Sequence, residues 1–381
     1  MNNINEKNSS IELLRIFLVF LVILIHATPL GKIKLGEISN INLGVTYLIY
    51  SFARPAVNIF IIISGYFLCD KVINIKKSTN KLLQPILFFL PVLFFYSIIS
   101  LNENGYGLIK SLLLSLLYIP TLGGVFFHLW YIASYILLLL ATPYLNLIIR
   151  NLESKKLLNL IFICLLPIVL ISSISDFFGL KVTYFYSGPS FTELGFYNFF
   201  IFIPLYLIGA YFRKNKVVIK YAFIKYIICS LFIASFSLAY SFNFTPINIL
   251  SSLLNRSEIT RTYNLYEAIF KYNNVFVLMS SIYLFYFFSS LKIKNTIVNV
   301  IGKMTFGMYV FHSVILSIVY KVILSDENFL YYPEYLPSVI IIFLVVVITF
   351  IVALLFEFIR IKLKEKYDLY RKNNKHSRLK I

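Results

Sequence analysis

The sequence predicts an all-α integral membrane protein of about ten transmembrane helices with both termini in the cytoplasm. Three observations carry that prediction. Hydrophobic residues make up 59% of the 381 and charged residues only 13%, with a mean hydropathy of +0.83, whereas soluble domains carry about 25% charged residues. Apolar runs recur at about 11–30, 45–68, 82–101, 126–149, 157–174, 195–212, 220–242, 273–291, 304–324 and 337–360, each close to the roughly 20 residues that a helix needs to cross hydrocarbon. Basic residues also alternate between the gaps, as the positive-inside rule requires.

With the N-terminus inside, the inner segments collect Lys71, Lys76, Lys77 and Lys81, then Arg150, Lys155 and Lys156, then Arg213, Lys214, Lys216 and Lys220, then Lys292, Lys294 and Lys303. A basic cytoplasmic tail, 361–381, follows the last run. The outer segments hold fewer cations: Lys32, Lys34, Lys110, Lys181, Arg256, Arg261 and Lys271, with Asp326, Glu327 and Glu334 in the last. The net charge of +19 is thus explained by topology, and nucleic-acid binding is excluded because no binding motif accompanies it. An eleventh apolar run, Leu108 to Leu122, is short and ends in Pro120 and Gly123-Gly124, which predicts an interfacial or re-entrant piece. The longest connection, 243–272, is expected as an outer loop. The chain reads as one polytopic domain, 1–381, without internal repeats.

Cys69, Cys164 and Cys229 lie in or beside apolar runs without CxxC spacing, so neither disulfide nor metal site is expected. No small-x-small cleavage site follows the first run, and His26 interrupts it, so it is expected as a retained helix and not a signal peptide. GxSxG, P-loop and HExxH patterns are absent, which leaves hydrolase, NTPase and zinc-enzyme readings unsupported.

Four spans carry residues that hydrocarbon does not favour. SIELLRIFLVFLVILIHATPL, residues 10–30, holds Arg15 and His26. Their eleven-residue separation is about three turns plus 20°, which sets both on one face about 16 Å apart. Arg15 reads as an arginine snorkelling to headgroups or as a phosphate or carboxylate contact. His26 reads as a satisfied core histidine or as a general base. In SFARPAVNIFIIISGYFL, residues 51–68, Arg54 falls at the depth of His26; it lines an anion cavity or pairs with a carbonyl or carboxylate in the bundle. Ser64-Gly65 suits close helix packing. FFHLWYIASYILLLLATPYL, residues 126–145, offers His128 and Trp130, read as an aromatic belt or as part of an acceptor site. GKMTFGMYVFHSVIL, residues 302–316, places His312 inside a span, with Gly302 and Gly307 easing close packing or a break.

These stretches together resemble the membrane acyltransferase-3 family of bacterial integral-membrane O-acyltransferases acting on surface polysaccharides. The most specific match is Arg15, ten intervening residues, then His26. NIFIIISGYFL at 58–68 is similar to the family's Phe-Phe-x-x-Ser-Gly-Tyr/Phe-Leu stretch, with Ile61 where a second Phe is common, and HLWYI at 128–132 and MYVFHSV at 308–314 resemble two further family stretches. The resemblance implies a multi-pass protein of the bacterial cytoplasmic membrane that takes acyl-CoA, most often acetyl-CoA, as donor substrate without a bound cofactor. The implied partners are a polysaccharide or lipid-linked oligosaccharide acceptor, membrane lipids and polysaccharide-assembly proteins. On that footing Arg15 would bind the donor, His26 and Arg54 would be catalytic, and His128, Trp130, His312 and Ser64 would bind acceptor or support the site. Two competing classes share the same helices: an exporter of a lipid-linked sugar or acyl group, and a scaffold subunit of a synthesis complex.

Overall fold

The computed structural model describes residues 9–28, 40–121, 128–170, 197–241, 270–323 and 337–378, which form helices and turns without a strand. In order they are α1 (Ser9–Ala27), α2 (Asn40–Ala53), α3 (Ala56–Leu68), α4 (Ile75–Glu103), α5 (Leu108–Thr121), α6 (Trp130–Asn151), α7 (Ser154–Leu165, continued by a π-helical turn Leu166–Leu170), α8 (Tyr197–Lys214), α9 (Ala222–Ser241), α10 (Val275–Ser290), α11 (Thr296–Gly302), α12 (Thr305–Ile323) and α13 (Pro337–Arg378). Among the described residues seven helical segments are long and apolar enough to cross a membrane: α1, α2 with α3 as one span, α4, α6, α9, α12 and α13. The other three apolar runs are helical too, as α7 with its π turn, α8 and α10. Most of the 243–272 connection, Gly123-Gly124, residues 171–174, and Lys32, Lys34, Lys181, Arg256, Arg261, Asp326, Glu327 and Glu334 lie outside the described residues.

Three elements depart from the sequence expectation, each for a local reason. The second span is broken at Arg54-Pro55, because proline lacks an N–H and disfavours helical backbone at the residue before it. Of the Leu108–Leu122 run, α5 (Leu108–Thr121) turns back along α4 as the arm of a helical hairpin. Gly105 and Gly107 make that turn at φ +82° and +75°, a region that favours glycine, and the buried hydroxyl of Ser115 donates to that of Ser97 at 2.9 Å. Finally, α13 does not end with hydrophobic sequence near Arg360 but runs on to Arg378. Its 42 residues span about 63 Å, roughly twice the hydrocarbon thickness, so the basic tail begins as a helical extension.

Helix α1 is apolar around its circumference and packs against α2, α3, α10, α11, α12 and α13. In its spanning window 61% of residues are buried, and in the α2–α3 span 67%, against 22% for α4, so these two spans form the interior of the bundle and α4 lies at its periphery. The start of α1 is tied down by its own hydroxyls. Ser10 donates to the Leu291 carbonyl at 2.7 Å and accepts from the Ile293 N–H at 3.1 Å, and Ser9 accepts from the Asn295 N–H at 3.0 Å. These bonds satisfy backbone groups of the α10–α11 connection that hydrocarbon would leave unpaired.

Two pairs of glycines decide how closely helices meet. A Cβ at Gly65 would strike the backbone of Tyr206, and one at Gly209 would strike the backbone of Ile62 and Tyr66. Helices α3 and α8 therefore cross backbone against backbone, as small residues permit in membranes. Gly302 and Gly307 do something else: a Cβ there would collide with the Glu12 side chain from α1 and with the Glu357 carboxylate from α13. Each glycine makes room for a buried acid, and each acid pairs with an arginine three residues on. Glu357 accepts from Arg360 at 2.6 and 2.5 Å, and Glu12 from Arg15 at 3.3 Å.

Gly65→Ala and Gly209→Ala are each expected to lower stability by about 1–3 kcal/mol, the usual cost of overpacking. Gly44→Ala, whose Cβ meets only Leu238 at 3.9 Å, should be neutral or stabilising. Thermal unfolding of the three variants in detergent tests this, and equal melting temperatures would show that the α3–α8 crossing relaxes freely.

Candidate active site

The break at Arg54-Pro55 places Arg54 between two helices, where its side chain is buried. Its Nε donates to the Phe270 carbonyl. Its Nη1 donates to the hydroxyls of Tyr272 at 3.0 Å and Tyr50 at 3.3 Å, and the guanidinium sits 3.8 Å over the Tyr272 ring. Of the two roles open to Arg54 from sequence, pairing with a backbone carbonyl is therefore realised. Its second terminal nitrogen makes no hydrogen bond among the described residues. One turn on, Asn58 is fully buried and donates from Nδ2 to the Tyr272 carbonyl at 2.9 Å, while its Oδ1 has no partner among the described residues.

Three histidines from three helices converge beside this arginine. His312 on α12 lies 5.0 Å from His26 on α1 and 5.3 Å from His128 at the start of α6, between ring centres. His128 and His312 are buried, whereas His26 is exposed. The other two are held by a reciprocal clasp. His128 Nε2 donates to the Val310 carbonyl at 3.0 Å, the Tyr309 hydroxyl donates to the His128 carbonyl, and His312 Nδ1 donates to the Tyr309 carbonyl at 2.5 Å. Trp130 is buried against Tyr272, ring centres 5.6 Å apart, and so packs on the arginine's platform instead of standing in a belt at the lipid boundary.

At the other end of α1, the Arg15 side chain is 33% exposed, paired with Glu12 and set 5.7 Å from the Phe67 ring centre. A column of tyrosines joins this end to the histidines. The Tyr135 hydroxyl is 3.1 Å from that of Ser64, and the Tyr135 ring stacks on Tyr131 at 5.8 Å. Tyr131 meets Tyr309 at 5.7 Å, and Tyr309 meets His312 at 5.6 Å. Tyr131 and Tyr135 are half-buried. Beyond α3, burial and then the Asp70 carboxylate push the Cys69 thiol up to about 11, which keeps it protonated and unsuited to nucleophilic attack.

The structure thus groups His26, His128, His312, Arg54 and Trp130 at one end of the column, and Arg15 with Ser64 at the other. Sequence reasoning passed over Glu12, Asn58, Tyr135, Tyr272 and Tyr309. Three of these carry a helical-spacing signal: Glu12 stands three before Arg15, Tyr309 three before His312, and Tyr135 four after Tyr131. Tyr272 has none, since 218 residues separate it from Arg54.

Tyr272→Phe keeps the ring under Arg54 but removes the acceptor hydroxyl. A hydrogen bond to a charged group is worth about 1.5–3 kcal/mol, and a loss of that size is expected in detergent unfolding; an unchanged melting temperature would show that the hydroxyl does not hold the arginine.

A family model described as an acyltransferase domain, acyltransferase-3, matches residues 8–358. An amino-acid racemase of Enterococcus faecalis is similar at 29% identity over 157 residues, covering 39% of this chain and 21% of that protein. The chain therefore spans about a fifth of the length of that relative. No solved structure matches. The chain thus belongs to the acyltransferase-3 family, and among its described residues seven helical segments are long and apolar enough to cross a membrane.

Proposed function

We propose that the protein transfers an acyl group, acetyl above all, from cytoplasmic acyl-CoA to a hydroxyl of a cell-surface or lipid-linked polysaccharide in the bacterial cytoplasmic membrane. The observation that carries this reading is the open His26 at the head of a tyrosine-lined column that begins at Arg15. The phosphates of CoA are too charged for hydrocarbon, so the nucleotide stays at the Arg15 end, where a guanidinium is suited to hold them. The pantetheine arm is uncharged and carries amides, which the hydroxyls of Ser64, Tyr135 and Tyr131 can hydrogen-bond. About 16 Å of helix separates Arg15 from His26, a length the extended arm covers.

At the far end, His26 takes the proton of the acceptor hydroxyl as its oxygen attacks the thioester carbon. Arg54, fixed by Tyr272 and Phe270, stabilises the negative charge that develops on the thioester oxygen. Such a fixed charge is most effective where water is excluded. The C–S bond then breaks and the proton on His26 passes to the departing sulfur. No further group is needed to balance the transfer.

His26→Ala is expected to lower transfer of labelled acetyl from acetyl-CoA to base-labile ester by on the order of 10²–10⁴-fold, the contribution of a positioned base. Wild-type transfer at equal expression would overturn the assignment. Arg15→Ala should raise the KM for acetyl-CoA about 10- to 100-fold, as expected for losing roughly 1.5–3 kcal/mol of charge-assisted bonding, and an unchanged KM would remove its donor role. Movement of intact glycan without ester formation by the purified protein would instead establish an exporter.

A further inference from the structure

We infer that His312 is a positioning residue for the acyl transfer: its Nε2 accepts the single N–H of neutral His26 and so turns the other His26 nitrogen, as a lone pair, into the open site. This rests on the proposed role of His26 as base and adds what holds that base in one tautomer.

The argument is one of hydrogen-bond inventory. The Tyr309 carbonyl can only accept, so the 2.5 Å contact with His312 Nδ1 requires the hydrogen on Nδ1 and leaves Nε2 of the neutral ring as an acceptor. That Nε2 is fully buried and has no partner among the described residues, an arrangement that costs about 1–3 kcal/mol unless a donor reaches it. Two rings stand close enough to supply one, His26 and His128. His128 is committed, because its Nε2 hydrogen goes to the Val310 carbonyl and a neutral imidazole has no second hydrogen to give. His26 makes no hydrogen bond among the described residues, its ring centre is 5.0 Å from that of His312, and its open side leaves it free to turn about χ2, a broad torsion in histidine.

The result has the logic of a nucleophile's base held by a third group, with a neutral histidine as the orienting member. During transfer the His26 N–H stays on His312 while the opposite nitrogen receives the acceptor's proton and returns it to sulfur. The clasp between His128, Tyr309 and Val310 explains why the orienting ring does not turn away. It fixes the α12 backbone one turn before His312, and with it the carbonyl that sets the tautomer of His312.

The test compares His312→Phe, which fills the space without an acceptor, with His312→Gln, whose amide oxygen can stand near the Nε2 position. In membrane vesicles given labelled acetyl-CoA, His312→Phe should lower kcat roughly 10- to 100-fold, as for residues that orient a reacting group without touching the reactants. The KM for acetyl-CoA should not change, and His312→Gln should recover most of the loss. The chain has only four histidines, so nitrogen-15 histidine spectra of the purified protein give a readout independent of turnover. His26 should hold one tautomer in the wild type and in His312→Gln, and average between two in His312→Phe. Equal impairment of both variants, a change in KM alone, or an unaltered His26 tautomer in His312→Phe would overturn the inference. If His26→Ala is inactive while His312→Phe turns over normally, the base assignment stands and only the role of His312 falls. If His26→Ala is active, the base assignment itself falls.

Discussion

The bundle is arranged around a helix with no lipid-facing side. Because α1 is surrounded by α2, α3, α10, α11, α12 and α13, every polar group it carries has to be matched by a neighbour or by open internal space. The matches are visible along its length. Ser9 and Ser10 bond the backbone of the α10–α11 connection, Glu12 fits against Gly302 and holds Arg15, and His26 meets His312. Buried on α1, Ser9, Ser10 and Glu12 meet neighbouring helices instead of headgroups, and so they organise the residues around them.

The same constraint accounts for the arginine platform. A charge buried alone is costly, and a buried cation is stable only with hydrogen-bond partners and a favourable ring face. Arg54 obtains these from Phe270, Tyr272 and Tyr50, which leaves it rigid and charged beside the histidines. A preorganised charge of this kind is what acyl transfer requires, since the carbonyl oxygen becomes negative only in the transition state. The proline at residue 55 separates α2 from α3 at the point where the arginine leaves the helix.

Glycines act in two distinct ways. Gly65 and Gly209 bring α3 and α8 into backbone contact, whereas Gly302 and Gly307 leave pockets for Glu12 and Glu357. In both acid pairs the partner arginine stands three residues on in the same helix, so the charges are balanced within one element before it packs. Breaking such a buried pair from one side leaves an uncompensated charge, which is why it fixes the register of α13 against α12 more firmly than apolar contact would.

Sequence alone determined the fold class. Hydropathy marks an all-helical membrane protein, because only helices or closed barrels satisfy backbone groups in hydrocarbon. The eleven-residue step sets Arg15 and His26 on one face, because helical pitch is a local property. Hydropathy and periodicity did not mark the break at Arg54-Pro55, which proline imposes, or the continuation of α13 past Arg360. Nor could they show that His26, His128 and His312 meet, that Tyr272 carries Arg54 from 218 residues away, or that only His26 of the three is open. Those facts belong to the packing of separate helices, and periodicity within one helix carries no information about which neighbour its face will find.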